Sequence, residues 1–312
     1  MTNRCVARMT PLAVVTVLSL TAVSASGQAL FPRDAPKEPG ARSWALERAK
    51  LPPFDPSRTP DGKPDLRGRW GGTPGGDDLE DHPYVDVSSP PEESFVSDPP
   101  DGKIPYQPWA LAVRAEHRAG LARGWPGEKG RLYADPQTHC LYTVPRATYR
   151  GGFEILQDPG YVLIAFNFGH YYRIIPTDGR PHVVGQNVKL WMGNSRGSWD
   201  GNTLVVDVTN LNAKNWLDQV GNFFSDNVHV VERFTLASAN IIDYEVTIDD
   251  PKVFTRPWKI RLPLRRVRTG GGDNSDPYAN ETWENACYEG NKAGEHLRDL
   301  GFKWFSGVVP PK

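Results

Sequence analysis

The sequence is poor in cysteine, in net charge and in long apolar runs. Three Cys occur in 312 residues, too few for a cysteine-rich framework to hold the fold. Thirty-six Lys and Arg stand against 37 Asp and Glu, a formal net charge of −1. That balance lacks the basic excess a phosphate backbone rewards, so nucleic acid is excluded as a partner. The longest apolar stretch, Pro11 to Val23, is about 13 residues, short of the roughly 18 that a membrane helix needs. No later segment reaches that length, so no membrane span is predicted.

What remains is a chain with 38% hydrophobic and 23% charged residues, enough for a sizeable core. Thirty Gly and 29 Pro argue against a helical bundle, and ten Trp supply unusual aromatic bulk. At the N-terminus, Arg4 and Arg8 precede the apolar stretch, and Ser24-Ala-Ser-Gly-Gln-Ala29 supplies small residues. This is the pattern of a signal peptide over residues 1–27, with cleavage after Ala25, Gly27 or Ala29. The predicted location is the periplasm or the cell exterior. Cys5 leaves with the signal, and Cys140 and Cys287 remain, an even pair in an oxidising compartment. They are read as one disulfide closing a long loop, worth about 4–5 kcal/mol in chain-entropy models. A zinc site is the alternative, since His139 adjoins Cys140, but neither Cys has a ligand-like spacing.

Along the chain, residues 28–66 are rich in Pro and charge and predict an extended arm, with a helical patch around Trp44–Lys50. Residues 67–312 predict a single domain. Residues 109–123 combine helix formers with Trp109, Val113 and Leu121 at helical spacing and end at Gly124. Residues 125–150 read as loop. From Phe153 onward, short β-branched and aromatic runs alternate with Asp-Pro-Gly, Asp-Gly and Asp-Pro turns. The predicted strands are 153–157, 161–167, 171–177, 188–192, 196–199, 203–208, 229–236, 242–249, 258–266 and 281–288. Eight or more antiparallel strands in series favour a mainly β fold, an up-and-down barrel with an N-terminal arm and one helix. A sandwich is the other option. Gly68-Arg-Trp70, placed before this meander, resembles the lipocalin and calycin signature, in which the Trp plugs one barrel end.

Longer motifs carry a second resemblance. They are Arg58-Thr-Pro-Asp-Gly-Lys-Pro-Asp-Leu66, Trp191-Met-Gly-Asn-Ser-Arg-Gly-Ser-Trp199-Asp-Gly-Asn-Thr-Leu-Val-Val-Asp207, and His229-Val-Val-Glu-Arg-Phe234. Thr247-Ile-Asp-Asp-Pro251, running on to Trp258, and Cys287-Tyr-Glu-Gly-Asn291 complete the set. Together they look like a large family of secreted bacterial proteins, over most of residues 58–291. The resemblance brings no catalytic residue with it. Relatives often show Trp-Glu-Gly-Asp where this chain has Trp199-Asp-Gly-Asn, and often a His two or three residues after Gly221, where this chain has Phe223-Phe224.

Strand parity yields the site residues. A four-residue turn at Ala237–Asn240 sets Glu232 opposite Glu245, His229 opposite Ile248 and Arg233 opposite Tyr244. One face then carries His229, Val231, Arg233, Tyr244, Val246 and Ile248, and is expected inward. The other carries Val230, Glu232, Glu245, Thr247 and Arg261, and is expected in water. An imidazole and a guanidinium inside an apolar barrel are costly unless paired, which marks them as site candidates. His229 is assigned acid/base work, Arg233 the holding of an anion, and Asp218 and Tyr244 orientation. The competing reading is structural, with Arg233 paired to Asp218 or Glu154. Glu232 and Glu245 admit a glycosidase-type dyad, against which stands a plainly solvated face. Trp216, Tyr172, Arg146 and His170 are assigned to substrate contacts at the barrel mouth. His170, His182 and His229 together admit a metal site, though no short spacing marks one and no metal is assigned. Gly193-x-Ser195-x-Gly197 matches a nucleophile elbow by letters but lacks its strand-then-helix context. No motif calls for a cofactor.

The expectation is an exported barrel enzyme. Its predicted chemistry is acid/base work (hydrolysis, elimination or hydration, or isomerisation) on a small, partly apolar molecule in a barrel cavity. A non-catalytic small-molecule-binding protein and an envelope interaction protein are the alternatives. Oligomeric state is not legible in the sequence.

Overall fold

The computed structural model describes residues 40–71, 78–80, 94–121, 133–267, 287–299, 301–303 and 305–311. The signal peptide and its cleavage site lie outside these residues, as does most of the strand expected over 281–288, whose last two residues form a turn. In chain order the elements are α1 (Ala41–Lys50), β1 (Gly68–Gly71), β2 (Val96–Asp98), α2 (Pro108–Gly120), a 3-10 turn (Pro136–His139) and α3 (Arg146–Arg150). Then follow β3 (Gly152–Asp158), β4 (Tyr161–Phe166), β5 (Tyr172–Pro176), β6 (Asn194–Asp200) and β7 (Thr203–Thr209). The series ends with β8 (His229–Ser238), β9 (Ile241–Asp249), β10 (Trp258–Arg266) and α4 (Ala293–Asp299).

Nine strands run β5-β4-β3-β1-β10-β9-β8-β7-β6, all antiparallel, and curl into a nearly closed barrel; β2 adds to β10. The period-2 pattern explains the curl. Ile242, Tyr244, Val246 and Ile248 of β9 are buried, as are Trp258, Ile260, Leu262 and Leu264 of β10, while the β9 residues between them face outward. The first strand completes the wall by wedging between β3 and β10. Trp70 there is fully buried, donates Nε1–H to the Leu66 carbonyl at 2.9 Å, and carries the Arg266 guanidinium 4.2 Å above its ring. The barrel closes between β5 and β6 by side-chain packing. Gly197 makes this possible, because a Cβ there would stand 2.8 Å from Thr177 and 2.9 Å from Ile175.

Four expectations need correction. The arm forms its expected helical patch, but as the longer α1, which starts at Ala41 and packs Trp44 under the barrel wall, where its Nε1–H donates to Asp243 at 2.9 Å. Residues 146–150, read as loop, form α3, with Arg146, Ala147, Thr148 and Tyr149 all buried. Val188–Met192 is not a strand; Leu190 only bridges Leu211. The β8–β9 register also differs by one residue. The turn is Ala239-Asn240, and a bulge between Leu236 and Ser238 takes up Ala237, so Glu232 pairs with Val246 and Arg233 with Glu245. The face of β9 is as expected. That of β8 is reversed: Val230, Glu232, Phe234 and Leu236 point in, and His229, Val231 and Arg233 point out.

Candidate functional site

Most of the expected site residues fall in three polar clusters. The first lies inside the barrel. Glu232 is fully buried and receives the Arg173 guanidinium from β5, with Nη2 at 2.5 Å from Oε2 and Nη1 at 3.2 Å from Oε1. The Tyr244 hydroxyl donates to Oε1 at 2.6 Å and the Thr148 hydroxyl from α3 at 3.4 Å. Arg173 also donates to Ser195 Oγ on β6 at 3.0 Å, so the pair spans the seam where the barrel closes. Burial, with the Glu232 charge beside it, pushes the Tyr244 hydroxyl well above its ordinary range. Tyr244 is therefore an inward residue, as expected, but its partner is Glu232 rather than His229 or Arg233. The Glu232/Glu245 dyad does not form: Glu245 is on the outer face, 2.9 Å from Lys259 Nζ.

The second cluster sits in the long loop between β7 and β8. Asp218 accepts the backbone N–H groups of Leu79, Val220 and Asn222, each at 3.1 Å, and Asn222 Nδ2 at 2.5 Å. Burial, with Asp78 nearby, pushes its carboxyl up to about 7. Four donors saturate both oxygens, so Asp218 is the knot that ties residues 78–80 to 215–222. Arg146 is buried as well, fork-bound to Asp135 at 2.8 and 2.6 Å, with Gln137 at 2.9 Å and Asn215 at 3.3 Å. Trp216 is fully buried, its ring 5.4 Å from that of His117 and 5.8 Å from that of Phe305. His117 donates Nδ1–H to the Gly221 carbonyl at 3.1 Å, and burial holds its pKa down. Gly221 has φ +91° and lies against His117, so only glycine suits the position. Asp218, Trp216 and Arg146 thus share one region, as expected, but inside its packing rather than around an open mouth. The remaining contact candidates stand apart: His170 is exposed at the β4–β5 turn, and Tyr172 is 63% exposed on the outer face.

The third cluster is on the outer wall and contains His229. Its Nε2–H donates to Asp207 Oδ2 at 2.7 Å, and His182 Nε2 binds the other oxygen at 2.8 Å. Asp207 projects from β7 and His229 from β8, while His182 reaches in from the segment between β5 and β6. His182 Nδ1 is occupied by Asn194 Oδ1 at 2.6 Å and Thr209 Oγ1 at 3.3 Å. His229 Nδ1 makes no hydrogen bond among the described residues, and the ring is 42% exposed. The Asp207 bond, helped by Asp249, raises the His229 pKa above its ordinary 6.5, and the same bond holds the Asp207 carboxyl below the usual carboxylate range. Arg233 does not join this group. It extends outward to Asp200 at 2.8 Å, not to Asp218 or inward to a ligand.

The inward placement of His229 and Arg233 is thereby overturned, and the one-residue bulge is the reason. What brings groups together on the outer wall is a row of two imidazoles on the two oxygens of one carboxylate. That row is a hydrogen-bonded chain rather than a ligand set: among the described residues no three His, Cys, Asp or Glu side chains are arranged to hold a metal ion. Cys140 and Cys287 form the expected disulfide, with Cα atoms 5.7 Å apart. Among the described residues no helix is long and apolar enough to cross a membrane. No protein-family model matches the chain, and no curated protein or solved structure matches it.

Proposed function

We propose that the protein is an exported enzyme that moves protons on a small, partly apolar molecule, with His229 as the acid/base and Asp207 as the group that orients it. One observation carries this reading: a half-exposed imidazole has one nitrogen fixed on a carboxylate and the other without a hydrogen bond among the described residues. Because Asp207 holds the proton on Nε2, Nδ1 keeps its lone pair toward the open side and takes a proton there. The imidazolium that forms is stabilised by Asp207, and it then returns the proton. His182 pins the second oxygen of Asp207 and so fixes the carboxylate plane. Val231 beside the site and exposed Val183 next to His182 give the apolar part of a substrate something to lie on. Export is supported by the disulfide, which persists in oxidising compartments.

The test is depletion of compounds from a small-molecule extract, followed by mass spectrometry. Wild-type protein and Arg233→Gln consume the same compound, while His229→Gln slows its conversion by about 100-fold or more. Equal conversion by His229→Gln removes the imidazole from the reaction, and no conversion of any compound by the wild type contradicts the enzyme reading.

A further inference from the structure

Arg196 stands on β6 directly opposite Asp207 and on the same outer face. Its position invites an ion pair, but among the described residues Asp207 is engaged by His182 and His229 instead. The guanidinium instead donates Nε–H to the Pro181 carbonyl at 3.0 Å and Nη1–H to its neighbour's carbonyl, that of Ser195, at 2.8 Å. Two backbone carbonyls therefore hold the group in place without neutralising it. Among the described residues no carboxylate pairs with it, whereas the outward arginines Arg180, Arg233, Arg256 and Arg261 all have one. Nη2 is left without a hydrogen-bond partner there. A cation held by neutral groups, one strand across from the Asp207–His229 pair, is a ready anion receptor.

We infer that Arg196 receives the carboxylate of an anionic substrate whose proton is handled by His229. This deepens the acid/base reading and rests on it for the role of His229, but the binding step can be read without turnover. Cross-strand neighbours lie about 5 Å apart at Cβ. A small carboxylic acid anchored on Arg196 therefore extends across β7, past Asp207, toward His229 one strand further on. The substrate class is a small organic acid with an apolar body, for which Val183 and Val231 supply the contact.

The experiment is a titration of the full-length protein with benzoate, followed by two-dimensional NMR, with benzamide as the uncharged control. Benzoate saturates the wild type, shifting the Arg196 Nε and His229 ring signals, and benzamide does not compete. Arg196→Met weakens binding by roughly tenfold and Arg196→Lys by less, while His229→Gln leaves it within about twofold. The wild-type shifts stand on their own should a variant at Arg196 disturb the Pro181 segment. Absence of saturation, shifts confined to another face, competition by benzamide, or wild-type affinity in Arg196→Met each overturns the inference. Loss of turnover in His229→Gln with unchanged benzoate binding separates failure at Arg196 from failure at His229.

Discussion

Glu232→Ala lowers the stability of the fold by about 3–5 kcal/mol in chemical denaturation. The carboxylate is fully buried, and its removal leaves the Arg173 guanidinium, itself 3% exposed, without an anion inside the barrel. It also strips the Tyr244 hydroxyl of its acceptor. Both groups then carry their desolvation cost uncompensated. The double variant Glu232→Met with Arg173→Met recovers most of the loss, because a buried ion pair contributes little over an apolar pair of similar volume. An outward Glu232, paired in solvent, predicts a loss of about 1 kcal/mol or less. A result of that size contradicts the register of β8.

Breaking the Cys140–Cys287 bond costs about 4–5 kcal/mol, because the two residues are 147 apart in sequence and the bond closes a long loop in the unfolded chain. What it secures in the folded state is the segment after Cys287. The Tyr288 hydroxyl donates to the Cys140 carbonyl at 2.9 Å, and Asn291 donates to Cys140 Sγ at 3.1 Å. No β-ladder ties residues 287–291 to the barrel among the described residues, so the disulfide shares the attachment only with side-chain hydrogen bonds, such as that between the Tyr288 and Tyr171 hydroxyls at 2.9 Å. Urea denaturation with and without reductant, and of Cys140→Ser with Cys287→Ser, measures the loss. Coincident midpoints rule it out.

Much of the barrel is legible in the sequence because strand signals are local. Trp258–Arg266 is bounded as expected, and β3, β4, β7 and β9 fall within two residues of their predicted ends. The helix over 109–123 appears as Pro108–Gly120. The face of β8 is also written in the chain, but over a longer window than His229 to Arg233. Phe234 and Leu236 share the parity of Val230 and Glu232, so the apolar majority lies on the side with the acid. The bulge at Ala237 is what hides the register. A bulge depends on local backbone geometry, and no residue type marks it there.

The outer-wall site is legible only in part. His229 stands out as a titratable group in a strand, but its partner Asp207 reads as an ordinary alternate residue in a Val-Val-Asp run, and His182 lies 47 positions away from His229 in a segment without strand character. Their meeting depends on which strands become neighbours and on how the segment after β5 crosses β6. Asp218, given an orienting role, and Arg146, given a substrate contact, look functional in sequence because loops at the mouth of a barrel often carry function. Their saturation by backbone and side-chain partners becomes visible only once residues 78–80 and 135–137 are brought beside them.

The central claim is that His229 stands on the outer wall with Asp207 holding its Nε2 proton, and a pH titration of the imidazole signals by NMR tests it most directly. His229 titrates above 6.5 in the wild type and falls back toward that value in Asp207→Asn. The sign for stability follows: the interaction contributes fully below the unfolded value and is lost as pH rises through the raised one. A His229 that titrates below 6.5, or one indifferent to Asp207→Asn, contradicts the account.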